Sequence, residues 1–152
     1  MKNFDLFLDL TRIKKPIGFM LLFWPCLWGL TLAFQFSNNN YVFLKHCLLF
    51  FGGAVLMRSA GCIVNDILDR KIDAMVDRTK SRPIASGKIS VQKSLMYVFF
   101  LCLSAFIILI QFNQNTILLG LASMPFAFSY PLMKIFIFWP QFFLVLTFNY
   151  GL

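Results

Sequence analysis

Long uncharged stretches alternate with short charged ones along this chain, and they predict an all-α, polytopic transmembrane bundle. Residues 16–44 carry no charge, which exceeds the roughly 20 residues a helix needs to cross a bilayer's hydrocarbon core. A second apolar run, 46–64, is interrupted only by Arg58. A third, 94–133, is long enough for two spans with a turn at Asn113, Gln114 and Asn115, and 135–152 begins another crossing. The expectation is four complete spans plus the start of a fifth, in one membrane domain covering residues 1–152. Before the first span, Phe4, Phe7, Leu8 and Leu10 lie among polar neighbours, as in a short helix resting on a membrane surface. The first span is too long for a removable signal peptide and lacks its small-residue cleavage pattern. No internal repeat or low-complexity tract interrupts the pattern.

Basic residues orient the spans. Lys2, Arg12, Lys14 and Lys15 precede the first span, and Arg70, Lys71, Arg78, Lys80, Arg82, Lys88 and Lys93 fill the connection from about 65 to 93. Lys134 follows the fourth span, whereas the intervening connections contain only Lys45. Short basic loops stay in the cytoplasm, so the N-terminus and the 65–93 loop are expected on that side.

Composition strengthens this reading. The chain is 59% hydrophobic and 13% charged, with a mean hydropathy of +0.75; a soluble domain of this size could not hide so much apolar surface. Topology accounts for the net charge of +8 without nucleic acid as a partner. Cys26, Cys47, Cys62 and Cys102 are isolated in apolar stretches, which describes buried thiols and neither a disulfide framework nor a metal site. His46, the only histidine, reads as an interfacial residue.

The acidic residues hold the chemistry. All six are aspartates, and Asp66, Asp69, Asp73 and Asp77 fall in one stretch. At about 100° per residue on a continuous helix they occupy an arc of about 80°, a carboxylate stripe extended toward the membrane by Asn65 and Arg58. A solvated face paired with Arg70, Lys71 and Arg78 is the plain alternative. It leaves unexplained an arginine inside a span, which is costly unless paired or functional. The spacing excludes an EF-hand and suits oxygen ligands for Mg²⁺ completed by phosphate oxygens. Arg78, Lys80 and Arg82 supply cations for phosphate, and Ser86-Gly87 supplies a turn that brings them back over the acids. Neither a GxxxxGK[ST] nor a GxGxxG motif is present, so the diphosphate expected here belongs to a lipid.

Arg58-Ser-Ala-Gly-Cys62 followed by Asn65-Asp66-x-x-Asp69-Arg70-x-x-Asp73, and then Arg78-Thr79-x-x-Arg82-Pro83 with Ser86-Gly87, resembles the first Asp-rich motif of the UbiA-type membrane prenyltransferases. Pro16-Ile17-Gly18, Leu21-Leu22, Trp24-Pro25 and Trp28-Gly29-Leu30, together with Tyr130-Pro131-x-x-Lys134 and Pro140-Gln141, are similar to the 4-hydroxybenzoate branch of ubiquinone synthesis. The resemblance runs almost end to end. It departs at Ile135, where a second basic residue is usual, and at Phe138, which replaces a small polar one.

The resemblance implies a helical bundle that moves a polyprenyl group from polyprenyl diphosphate to the ring of 4-hydroxybenzoate, in the bacterial inner membrane and with Mg²⁺. It assigns Asn65, Asp66, Asp69 and Asp73 to metal and diphosphate, the three aspartates being the catalytic set. Arg78 and Arg82 fall to phosphate, and Arg58, Tyr130 and Lys134 to the substrate pocket. Asp77 lies at a variable place in the motif. The family's second Asp-rich motif does not occur before residue 152, so the expectation for this chain alone is half an active site without turnover, joined to or complemented by a C-terminal half. A non-catalytic remnant, a binder of isoprenoid diphosphate and a transferase for another quinone precursor stand as alternatives.

Overall fold

A computed structural model describes the backbone of residues 3–37 and 39–136 and the side chains of 5–35 and 39–125. The regular structure of the described residues is entirely helical, with no strand among them. Six helices follow in order: α1 (Asn3–Thr11), α2 (Ile17–Ser37), α3 (Asn40–Leu68), α4 (Arg70–Met75), α5 (Val91–Leu109) and α6 (Gln114–Phe136). Among the described residues three helices are long and apolar enough to cross a membrane: α2 over Ile17–Gln35, α3 and α5. The fourth span expected from sequence is not among these three; its residues fall within α6, a 23-residue helix whose side chains beyond residue 125 lie outside the described residues. Most of the fifth lies outside the described residues.

The apolar run expected at 46–64 is only the middle of α3. That helix starts at Asn40 because the Asn39 side chain accepts hydrogen bonds from the backbone N–H groups of Tyr41 and Val42, satisfying two donors that have no partner within the helix. Lys45 and His46 therefore lie within the helix, and its 29 residues make it the axis of the bundle. It packs against α1, α2, α5 and α6. Edge-to-face rings of Phe19 and Phe23 on Phe51 join α2 to α3. Phe50 and His46 stack on Phe112 where α5 hands over to α6.

Leu21, Trp24, Trp28 and Leu32 on α2, and Phe99, Phe100, Leu103 and Ile107 on α5, remain exposed. In water such a surface would aggregate, whereas lipid is its natural solvent. The tightest apolar packing sits instead at one end, where Leu10 of α1, Ile63 of α3 and Ile84 and Ile89 of the loop form a buried cluster. Leu6, Ile67, Tyr97, Val98 and Leu101 close around it, and Phe7 meets Tyr97 edge to face. The surface helix expected from the first residues is therefore fastened to the bundle by its apolar side.

Candidate functional site

The carboxylates gather at the C-terminal end of α3. Helical hydrogen bonding continues through a slight break at Asp69, whose N–H bonds to the Asn65 carbonyl while its own carbonyl accepts from Asp73 N–H. Asp66, Asp69 and Asp73 thus keep helical spacing and turn inward, at 2%, 5% and 7% exposure. Val76 then adopts extended backbone and ends α4. The Thr79 hydroxyl donates to the Asp73 carbonyl at 3.1 Å, and the N–H groups of Thr79 and Lys80 both bond to the Val76 carbonyl.

This break corrects the stripe of four. Asp77 lies beyond it, its side chain 96% exposed and paired with Lys80 at 2.7 Å. An exposed pair of this kind is worth little.

The loop does fold back over the acids. Turns at 79–82 and 82–86 are closed by Arg82 N–H to the Thr79 carbonyl and Ser86 N–H to the Arg82 carbonyl, and Gly87 takes a φ of +71° that a side chain would oppose. Arg82 is thereby aimed inward, and its Nη1 donates to Asp73 Oδ2 at 2.6 Å and to Asp66 Oδ1 at 3.2 Å. Asn65 donates to Asp69 Oδ2 at 3.1 Å. Arg78, grouped with Arg82 from sequence, is exposed and makes no hydrogen bond or ion pair among the described residues.

A second guanidinium reaches the cluster from a position that sequence reading assigned only to topology. Arg12 Nη2 donates to the same Asp66 Oδ1 that accepts from Arg82. Arg12 directly follows α1, and its φ of +52° makes it the one non-glycine residue with positive φ among those described. Left-handed backbone costs a non-glycine residue about 1 kcal/mol or more, and persists where the surroundings enforce it. Here the buried Leu10 and Thr11 anchor one side and Asp66 holds the other. No local pattern separates Arg12 from Lys14 and Lys15.

Arg58 lies eight residues before Asp66, about 12 Å along α3. It is half-buried and makes no hydrogen bond or ion pair among the described residues. Tyr130 and Lys134 fall on the last turns of α6, where side chains lie outside the described residues. A cavity of about 710 Å³ opens below Arg58, lined by Leu30, Phe34, Phe50, Ala54, Met57 and Phe106 among others.

Hard oxygen donors such as these suit a divalent cation. One nitrogen of Arg82 already touches two of them, so a positive charge is held between Asp66 and Asp73 where a shared cation would compete for it. Among the described residues no three His, Cys, Asp or Glu side chains close on a single point. Binding a metal through all three aspartates therefore requires the arginines to yield some of their contacts.

Comparison with known proteins places the chain in a family. The UbiA prenyltransferase family matches residues 22–152. The chain belongs to that family. It is 47% identical over 142 residues, 93% of its own length and 34% of the relative's, to the mitochondrial 4-hydroxybenzoate polyprenyltransferase of Arabidopsis thaliana. It is 42% identical over 151 residues to the 4-hydroxybenzoate octaprenyltransferase of Nitrosomonas eutropha, covering 99% of this chain and 51% of that protein. The corresponding enzyme of Hydrogenovibrio crunogenus is 43% identical over 146 residues, 96% of this chain and 50% of the relative. The chain thus spans about a third to a half of the length of these UbiA relatives. No solved structure matches it.

Proposed function

We propose that this chain carries the first Asp-rich half-site of an enzyme that transfers a polyprenyl group from its diphosphate to a ring carbon of 4-hydroxybenzoate, in ubiquinone synthesis. The observation carrying this reading is the convergence of three buried aspartates and Arg82 at one end of an apolar helical bundle. Such a place receives a lipid whose head is a diphosphate. Relatives named as 4-hydroxybenzoate prenyltransferases, aligned over nearly the whole chain, support the choice of acceptor.

Asn65, Asp66, Asp69 and Asp73 would hold the divalent cation, Mg²⁺ by its preference for such oxygens; when bound it neutralises charge on the departing diphosphate. Arg82, and Arg78 once it turns inward, donate to phosphate oxygens. The allylic C–O bond breaks with its electron pair leaving on diphosphate, and the prenyl carbon bonds to the ring carbon ortho to the hydroxyl. The displaced ring proton passes to a carboxylate or water. Arg58 receives the acceptor's carboxylate, and by the resemblance Tyr130 and Lys134 would complete the acceptor pocket. The cavity beneath Arg58 takes the apolar tail and keeps water from the cation formed.

The same reading has four spans with α6 as the fourth and a fifth begun after it, in one membrane domain. It puts the N-terminus and the 65–93 loop on the cytoplasmic side of a bacterial inner membrane, supported by the basic residues around both. The test is retention of radiolabelled polyprenyl diphosphate by the purified chain in lipid nanodiscs. Retention should need Mg²⁺ and weaken in Asp66→Asn; equal retention with Mg²⁺ and with chelator would refute the site.

A further inference from the structure

Arg58 owes its position to a residue on another helix. Gly18, in the first turn of α2, faces it so closely that a methyl group at position 18 would stand 2.6 Å from Arg58 Nε and 3.3 Å from Cζ and Nη2. The guanidinium therefore lies against bare backbone. Glycines at helix contacts in membranes usually let two backbones approach. Here the space is taken by the planar end of an arginine.

That difference separates two consequences which a packing glycine would combine. The obstructed atoms belong to a flexible side chain, so alanine at 18 is accommodated by rotating Arg58 without separating α2 from α3. The bundle loses little, but the guanidinium moves. A half-buried arginine with no anionic partner among the described residues is set to receive a small anion from outside the chain. Its bidentate fork is demanding in angle and distance.

We propose that Gly18 is a specificity-determining positioning residue: its missing side chain places the Arg58 guanidinium where it grips the carboxylate of the aromatic acceptor. This rests on the acceptor reading of Arg58 given above. Gly18 selects among acceptors by charge, and has no part in holding the prenyl donor.

Equilibrium dialysis with the chain in lipid nanodiscs tests this, using 4-hydroxybenzoate and the neutral, similarly shaped 4-hydroxybenzamide. The unsubstituted chain should prefer the carboxylate. Gly18→Ala should weaken 4-hydroxybenzoate about tenfold, the scale of a disturbed charge-assisted bond, while 4-hydroxybenzamide affinity and the thermal midpoint stay unchanged. Arg58→Leu should abolish the preference, and adding Gly18→Ala to it should change nothing further, because the two act through one contact. Loss of both ligands together in Gly18→Ala, or an effect that persists without Arg58, would make the glycine merely structural and overturn the inference. An unsubstituted chain without preference, or Arg58→Leu that keeps it, would instead bring down the acceptor reading of Arg58, and the role of Gly18 with it.

Discussion

Arg82→Gln should be the most damaging charge removal at the carboxylate end, and the structure ranks the others around it. Arg82 Nη1 serves Asp73 at 2.6 Å and Asp66 at 3.2 Å. Glutamine leaves Asp73 without a cation among the described residues and Asp66 with Arg12 alone. Removing one partner of a buried pair costs about 3–5 kcal/mol; Arg82 is 28% exposed, so water offsets part of this and about 2 kcal/mol is expected. Arg12→Gln leaves Asp66 in contact with Arg82 and should cost about half as much. Both together strand a buried carboxylate, so the double variant should lose about 1 kcal/mol more than the sum of the singles. Lys80→Gln should do nothing measurable, since its partner Asp77 faces solvent. Labelling of the buried Cys62 by a thiol-reactive dye during thermal unfolding in detergent reports these differences. Strict additivity of Arg12→Gln and Arg82→Gln would show that they do not share Asp66, and the network would be wrong.

On the proposed function, Asp66→Asn and Asp69→Asn in a prenyl-transferring protein that contains this sequence should each lower kcat by about 10²-fold or more, roughly 2.7 kcal/mol of transition-state stabilisation. Asp77→Asn should leave it near the original value, and prenyl-transfer kinetics decide the order. Single cysteines introduced near positions 42 and 80 should label from opposite faces of the membrane, with position 80 accessible from the cytoplasm; labelling of both from one side would refute the topology. Gly87→Ala, at a φ of +71°, should destabilise the loop by about 1 kcal/mol, visible as faster proteolysis between residues 76 and 90.

Spans α2 and α5 were legible because no charge interrupts α2 and the only one in α5 is Lys93 in its first turn, which leaves lipid as the solvent for their surfaces. The first two turns of α3 were not, since Lys45 and His46 break the apolar run and the capping bonds of Asn39 are invisible to hydropathy. That Asp66, Asp69 and Asp73 share one face follows from helical spacing, whereas its turning inward depends on the contacts of Arg12 and Arg82 from other segments. Asp77 was misplaced by the same geometry because Ala74-Met75-Val76 contains no breaker; the helix ends there through Thr79 and the packing of Ile84 and Ile89, both set by tertiary contact. Arg12 could not be singled out, because its role depends on a turn linking α1 to α3 across 54 residues.

At about 1.5 Å per residue, the 29 residues of α3 measure about 44 Å, against a hydrocarbon core of about 30 Å. The surplus must tilt or protrude. Arg58 and Asp66 are carried on this one rigid rod, so a change in bilayer thickness cannot shift one without the other. The helix acts as a fixed ruler, holding the polar end at the level of lipid head groups while the apolar cavity stays submerged. Under the function proposed above, bilayer thickness thereby becomes a variable of the chemistry: a thick membrane would draw the aspartates toward hydrocarbon, where unneutralised carboxylates are least tolerated, and a thin one would open the ionising bond to water.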